Sequence, residues 1–298
     1  MTYKAAKMNS TAIILVIFSA FFHSLWNLLS KKSRNKIVFN CFIVFTGTIL
    51  YFPFFLYLFF TNKIQIQPIV WPLVILSAIF HALYFYFLAQ SYNYGDLSLT
   101  YPLARSSPIF VPFLAFIFIK ERLSLLGILG ITVIVIGVYL LHLKSFRLRG
   151  HLISLKNVRK KATMFALLTA LFSAFYSIND KISVQYIHPF IFIYLTHVVM
   201  NIFFLPIIFS KQIYNKIKIE WNNNSKSILV SGFLIILSYL LTLFAFKIEK
   251  VSYIVSLRQI SIIFGVIFGV FILKEEYGRI RLIASIVMFV GFFLVAIA

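Results

Sequence analysis

Long apolar runs alternate with short polar breaks along this sequence, and the length of the runs is the first quantity it yields. A helix crossing the hydrocarbon core of a bilayer takes about 20 mostly apolar residues. Ten such windows occur, at residues 11–30, 37–60, 69–92, 97–119, 123–142, 162–182, 188–209, 227–247, 251–273 and 279–298. Most connections are a few residues long and leave no room for a soluble domain. The two longest are 143–161, with Lys144, Arg147, Arg149, Lys156, Arg159, Lys160 and Lys161, and 210–226, a polar stretch with Asn222, Asn223 and Asn224. The pattern predicts an all-α polytopic membrane protein. A first five-helix unit, 1–142, and a second, 162–298, are joined by the basic linker 143–161.

The two fives repeat each other. A shift of 154 lays Leu97-Ser98 on Val251-Ser252, Lys120-Glu121 on Lys274-Glu275 and Gly137-Val138 on Gly291-Phe292. A shift of 153 lays Phe22-His23-Ser24-Leu25-Trp26-Asn27 on Phe175-Tyr176-Ser177-Ile178-Asn179-Asp180. Five crossings are an odd number, so the second copy enters the bilayer from the opposite side. The expected architecture is an inverted five-plus-five repeat whose copies face each other about the midplane.

Composition narrows the class. Of 298 residues 61% are hydrophobic and 12% charged, and mean hydropathy is +0.97. A soluble domain is about 45–50% apolar and about 25% charged. The 28 Lys+Arg against 7 Asp+Glu give a net charge of +21, which in a soluble chain would suggest nucleic acid. Here nearly all cations fall between apolar runs, where lipid headgroups meet them, so the expected partners are the bilayer and a small molecule and not nucleic acid. Lys4 and Lys7 precede the first run as in a signal peptide, but no small-x-small cleavage site follows, and the run is expected to stay as the first helix. Cys41 is the one cysteine and rules out an intrachain disulfide. With no paired-cysteine motif, no HExxH and no GxxxxGK[ST] loop, no metal, cofactor or nucleotide-driven pumping is expected. The acids Asp96, Glu121, Asp180, Glu220, Glu249, Glu275 and Glu276 are scattered, whereas an intramembrane lipid-modifying enzyme, the reading from a different class, would gather several at one membrane face.

An ordered set of features then carries a family resemblance. His23-Ser24-Leu25-Trp26-Asn27 ends the first span, Ala89-Gln90-Ser91-Tyr92 leads to Tyr101-Pro102 and Pro108, and Lys120-Glu121-Arg122-Leu123-Ser124 precedes Gly127 through Gly137. Over residues 11–298 this resembles the EamA-type members of the drug/metabolite transporter superfamily. The second copy departs from the pattern, lacking the prolines and carrying Val255-Ser256 for Tyr101-Pro102. The resemblance implies secondary transport of small metabolites, often export, in the inner or plasma membrane, with both termini cytoplasmic. The positive-inside rule reads the chain the other way. Odd-numbered connections hold 18 Lys and Arg against 8 in the even-numbered ones and the N-terminal segment.

Charges inside spans are the sharpest local evidence, since each costs about 2.5–3.5 kcal/mol at a helix centre on insertion scales. Arg105 lies a third of the way along the fourth span and Arg258 at a similar depth in the ninth. Each either faces a carboxylate or phosphate of the substrate, which the guanidinium fork suits, or pairs with an internal partner such as Asp180 and locks helices. Pro102, Pro108 and Pro112 should bend or break the fourth span, and Tyr101, Arg105, Pro108 and Pro112 share a helical face. On the ninth, Gln259 joins Ser252 and Ser256 in a polar stripe, and Gly265 and Gly269 suit close helix packing. The first and sixth spans offer His23, Trp26 and Asn27, then Tyr176, Asn179 and Asp180. Tyr84, His81 and Gln90 stand on the third span and His197 on the seventh. Asp180 and His197 are candidates for proton coupling, although Asp180, near its span's end, also reads as solvated or paired with Lys181. Glu121 and Glu275, in symmetric turns, read as structural anchors paired with neighbouring cations. The expected activity is alternating-access transport of a small polar or zwitterionic metabolite bearing a carboxylate, phosphonate or amino-acid-like group. Export of a cationic or amphipathic drug over the faces of Trp26, Tyr84, Tyr101 and Tyr176 is the competing reading.

Overall fold

A computed structural model describes residues 8–33, 35–61, 64–94, 103–141, 160–208, 211–273 and 279–298. The described chain is helical, with α1 (Ser10–Lys32), α2 (Lys36–Thr61), α3 (Val70–Tyr94), α4 (Ser107–Ile119), α5 (Leu125–Leu141), α6 (Lys160–Ser183), α7 (Pro189–Ile208), α8 (Lys211–Ile248), α9 (Val251–Leu257), α10 (Ile260–Leu273) and α11 (Arg279–Ala296). Six are long and apolar enough to span a bilayer, and four shorter apolar helices occupy the remaining expected windows. The ninth window holds two helices, α9 and α10. Most of the basic 143–161 connection lies outside the described residues.

One connection differs from expectation. From Lys211 on, the polar stretch 210–226 is helix, forming the start of α8, which kinks at Asn224 where φ is −131° and ψ 15°. Glu220 explains why. Its buried carboxylate accepts from Asn224 Nδ2 at 2.6 Å and from the Asn35 backbone N–H at 3.0 Å, tying this polar arm to the start of α2.

Helix neighbours come in matched pairs. α1 packs against α8 and α3 against α6, while α5 meets α11 and α2 meets α7. Exchanging the first five spans for the last five maps this set onto itself, as two copies related by a pseudo-two-fold axis require. Small residues permit the closest crossings. A Cβ at Gly291 would lie 2.9 Å from the Gly130 carbonyl oxygen, and one at Gly47 2.6 Å from that of Gly232. Gly265, expected to serve such packing, does not: a Cβ there meets nothing within 4 Å.

The acids other than Asp180 that the structure describes pin helix starts. Glu121 follows Lys120, whose left-handed φ of 55° ends α4 and turns the chain sharply. The Glu121 carboxylate accepts from the backbone N–H groups of Val251 at 2.9 Å and Ser252 at 3.1 Å, capping α9 from the other repeat. Glu249 accepts from the Asn9 N–H at 3.1 Å, where Asn9 itself caps α1. Glu121 is therefore an anchor whose partners are backbone donors of the opposite repeat. Glu275 lies outside the described residues.

Candidate functional site

Both arginine-bearing spans are interrupted at the arginine. In the fourth, Leu103 and Ala104 are helical, Arg105 and Ser106 are not, and α4 begins at Ser107. In the ninth, α9 ends at Leu257, Arg258 and Gln259 form a turn, and α10 begins at Ile260. The local hydrogen bonds are the same. Ser106 N–H donates to the Leu103 carbonyl at 3.2 Å and Ile109 N–H to that of Ser106 at 2.9 Å. Gln259 N–H donates to the Ser256 carbonyl at 3.1 Å and Ile262 N–H to that of Gln259 at 2.9 Å. Each donor and acceptor of the second set stands 153 positions after its counterpart, so Arg105 and Arg258 are equivalent positions of the repeat.

The fourth span is broken just ahead of Pro108, which has no N–H to offer the Ala104 carbonyl. Pro108 sits in the first turn of α4, where a missing N–H leaves no bond of α4 itself unmade, and Pro112 stands inside α4 without interrupting it. The second break has no proline at all. Pro102 and Tyr101 lie outside the described residues.

Arg105 and Arg258 converge from the two breaks. Arg105 Nη2 donates to His23 Nε2 at 3.3 Å, and the charges of both arginines act on His23. His23 in turn meets Trp26 edge to face at 5.0 Å, and the buried indole Nε1 of Trp26 has no hydrogen-bond partner. The Arg258 guanidinium carbon lies 5.1 Å from the centre of the Tyr239 ring, while its buried Nε has no hydrogen-bond partner. Gln259, 5% exposed, donates through Nε2 to the Val255 carbonyl and leaves Oε1 unpartnered.

Behind Tyr239 stands Asp180, with no exposed surface. Its oxygens accept from Ser77 Oγ at 2.6 Å, Tyr239 OH at 2.5 Å and Asn179 Nδ2 at 3.4 Å. The expected pairing with Lys181 does not occur, because the lysine turns to the backbone carbonyls of Phe246 and Glu249. His81 lies flat on Tyr176 at 3.9 Å and edge-on to Tyr239 at 5.4 Å, and Tyr84 meets Tyr176 edge to face at 5.8 Å. The His81 Nδ1 donates to the Ser77 carbonyl at 2.9 Å, fixing the ring.

The structure thus gathers His23, Trp26, Tyr84, Arg105, Tyr176, Asn179, Asp180, Arg258 and Gln259 on facing helices. Asn27 spends its amide on the His23 carbonyl of its own helix and Gln90 is only partly buried further along α3, while His197, bonded to the Ile193 carbonyl, is near enough for its charge to act on His81. Sequence reading passed over Ser77 and Tyr239. Ser77 and His81, four apart on α3, form a polar pair in an apolar helix, and that spacing was the available signal.

Helices of two matched sets, each with one span broken at an arginine, define the class: a polytopic membrane protein with the discontinuous helices used by secondary transporters. The EamA-like transporter family model matches residues 10–143 and 160–297, and the chain belongs to that family. A solved crystal structure of a protein shares the fold, with a TM-score of 0.73 at 12% identity, covering 96% of this chain and 97% of that one. No curated protein matches the sequence significantly.

Proposed function

We propose that the protein moves a small metabolite carrying an anionic group, a carboxylate, a phosphonate or an amino-acid-like zwitterion, across the inner or plasma membrane by alternating access. Membership of the EamA-like family makes it a transporter. The anionic preference rests on one observation: two arginines stand at equivalent helix breaks, with Arg258 Nε buried and unpartnered at the Tyr239 ring and the Oε1 of Gln259, next in the chain, buried and unpartnered as well. At each break a half-helix of 13 or 14 residues, α4 or α10, starts two positions after the arginine, adding the favourable end of its dipole to the cation. A guanidinium held over a phenol keeps its hydrogen-bonding edge for a planar anion. Arg105, through His23, and Trp26 supply the opposite wall.

The test is uptake into proteoliposomes of a charge-sorted metabolite panel by the wild type and by folded Arg105→Gln and Arg258→Gln variants. Removing a charge-assisted hydrogen bond is expected to lower anion or zwitterion uptake about tenfold or more in each variant. Cation flux that survives both substitutions overturns the reading and leaves the arginines as helix locks.

A further inference from the structure

The described carboxylates fall into two kinds. Glu121, Glu220 and Glu249 all accept from backbone N–H groups near helix starts. Asp180 accepts instead from two hydroxyls and a side-chain amide in the interior. The difference is chemical. Backbone N–H groups and cations can only donate and so favour the ionised acid, whereas a hydroxyl can donate to a carboxylate or accept from a carboxylic acid. Ser77 Oγ and Tyr239 OH therefore satisfy Asp180 in both protonation states, without rearrangement of the helices that carry them.

Every element packed on this point bears on its charge. α3 brings Ser77 and His81, α8 brings Tyr239, the broken ninth span brings Arg258, and α1 brings His23, which feels the same arginine. On α6 itself Tyr176 backs the imidazole of His81, and Lys181 is engaged elsewhere. From α7, His197 acts on His81, while Tyr253 of α9 is held by Ser124. α4 carries no titratable side chain between Ser107 and Ile119. Among the described residues Arg258 is thus the cation whose field reaches Asp180, and it does so across the Tyr239 ring, which it faces while the Tyr239 hydroxyl donates to the acid.

We propose that Asp180 is a proton-carrying site coupled through Tyr239 to Arg258, so that one proton and one anionic group occupy the transporter together. The inference rests on the anionic reading above. An ionised Asp180 compensates Arg258 and weakens its pull on an incoming anion. A proton taken from water by the carboxylate removes that compensation, and the step makes one O–H bond and breaks one in hydronium. By reciprocity the bound anion favours the protonated acid to the same extent. Proton and anion then travel in the same direction.

Infrared difference spectroscopy of the full chain in liposomes, stepped between about pH 4 and 9, needs no substrate. A carboxylic-acid stretch that grows on acidification, vanishes in Asp180→Asn and has its midpoint displaced by about one pH unit or more in Arg258→Gln is the expected result. Asp180→Asn keeps the shape, with one oxygen to accept from one hydroxyl and an amide that donates to the other, and Tyr239→Phe, which keeps the ring under Arg258, provides a second test of the displacement. Absence of an Asp180-dependent band, or a midpoint unmoved by both variants, overturns the inference. In the transport arm, methylphosphonate and glutamate are the probes. An inward proton gradient should raise uptake several-fold in the wild type and not in Asp180→Asn. Probe uptake that ignores the gradient overturns the coupling alone. Uptake confined to cations in the panel overturns the anionic reading, and the infrared arm still reports whether Asp180 takes up a proton.

Discussion

At the residue scale, partners outside the helix that carries a side chain decide what that side chain does. His188, between α6 and α7, shows this at the membrane edge. Its Nδ1 accepts from the Phe190 backbone N–H at 3.3 Å, and its ring meets Phe244 edge to face. Partial loss of water around the ring, and then the charge of Lys247, hold the imidazole below its ordinary value of 6.5. The folded protein therefore resists a proton that the unfolded chain accepts, so the stabilisation is full above about pH 6.5 and is lost as pH falls below it. The thermal midpoint in detergent is expected to drop between about pH 7 and 5, and His188→Gln, which keeps an acceptor but does not titrate, to flatten the drop. An unchanged slope would show that His188 has no part in it. Asp180 teaches the same lesson about what could be read beforehand. Its chemistry was visible in the sequence, but its surroundings were set by Ser77 and Tyr239, 103 and 59 positions away. One is a small hydroxyl in an apolar run and the other is among 16 tyrosines, so neither stood out.

At the element scale each of the ten hydropathy windows holds apolar helix among the described residues, six of them long enough to span, because a bilayer demands length and apolarity of each helix separately. Breaks within spans were less legible. Prolines drew attention to the fourth span, where the interruption falls at Arg105 and Ser106 just ahead of Pro108, but the ninth breaks at Arg258 and Gln259 with no proline. In the ninth, Ser256 Oγ bonds back to the Ser252 carbonyl, and three-residue hydrogen bonds replace four-residue ones through the turn. The shared register of 153 was the sequence signal, and it became informative once one break was known. Glycines were legible in the same partial way. Gly291 and Gly232 lie against backbone of the facing helix and Gly265 does not. Alanine at 291 or 232 should cost about 1–3 kcal/mol by forcing α5 from α11 or α2 from α8. Gly265→Ala should leave stability unchanged or slightly higher. Unfolding in detergent compares the three directly, and equal effects would mean that the close crossings do not hold these helices together.

At the scale of the whole molecule, the two faces are assembled from connections of matching parity. Asn9, Glu121, Lys181 and Glu249 meet at one end, bringing together the N-terminal segment with the turns after the fourth, sixth and eighth spans. Asn35 and Glu220 meet at the other, joining the connections after the first and seventh. An inverted repeat of five requires this division, since equivalent connections of the two copies must then lie on opposite sides. Gln65, after the second span, and Lys218, before the eighth, are equivalent at the register of 153 and both exposed. Cys41, the lone cysteine, is buried, and replacing it by alanine provides a thiol-free chain. In that chain Gln65→Cys and Lys218→Cys should react with a membrane-impermeant maleimide from opposite sides, one in intact cells and the other only after permeabilisation. Labelling of both from the same side would mean an even number of crossings between equivalent positions and would overturn the inversion. The same experiment orients the protein, because Lys218 belongs to the connections that carry 18 of the loop cations. Protection of Lys218→Cys in intact cells places that basic face against the anionic cytoplasmic leaflet, where each cation is worth about 1 kcal/mol. Its reaction from outside means that the family's topology prevails over the charge bias, and that the basic linker faces the exterior.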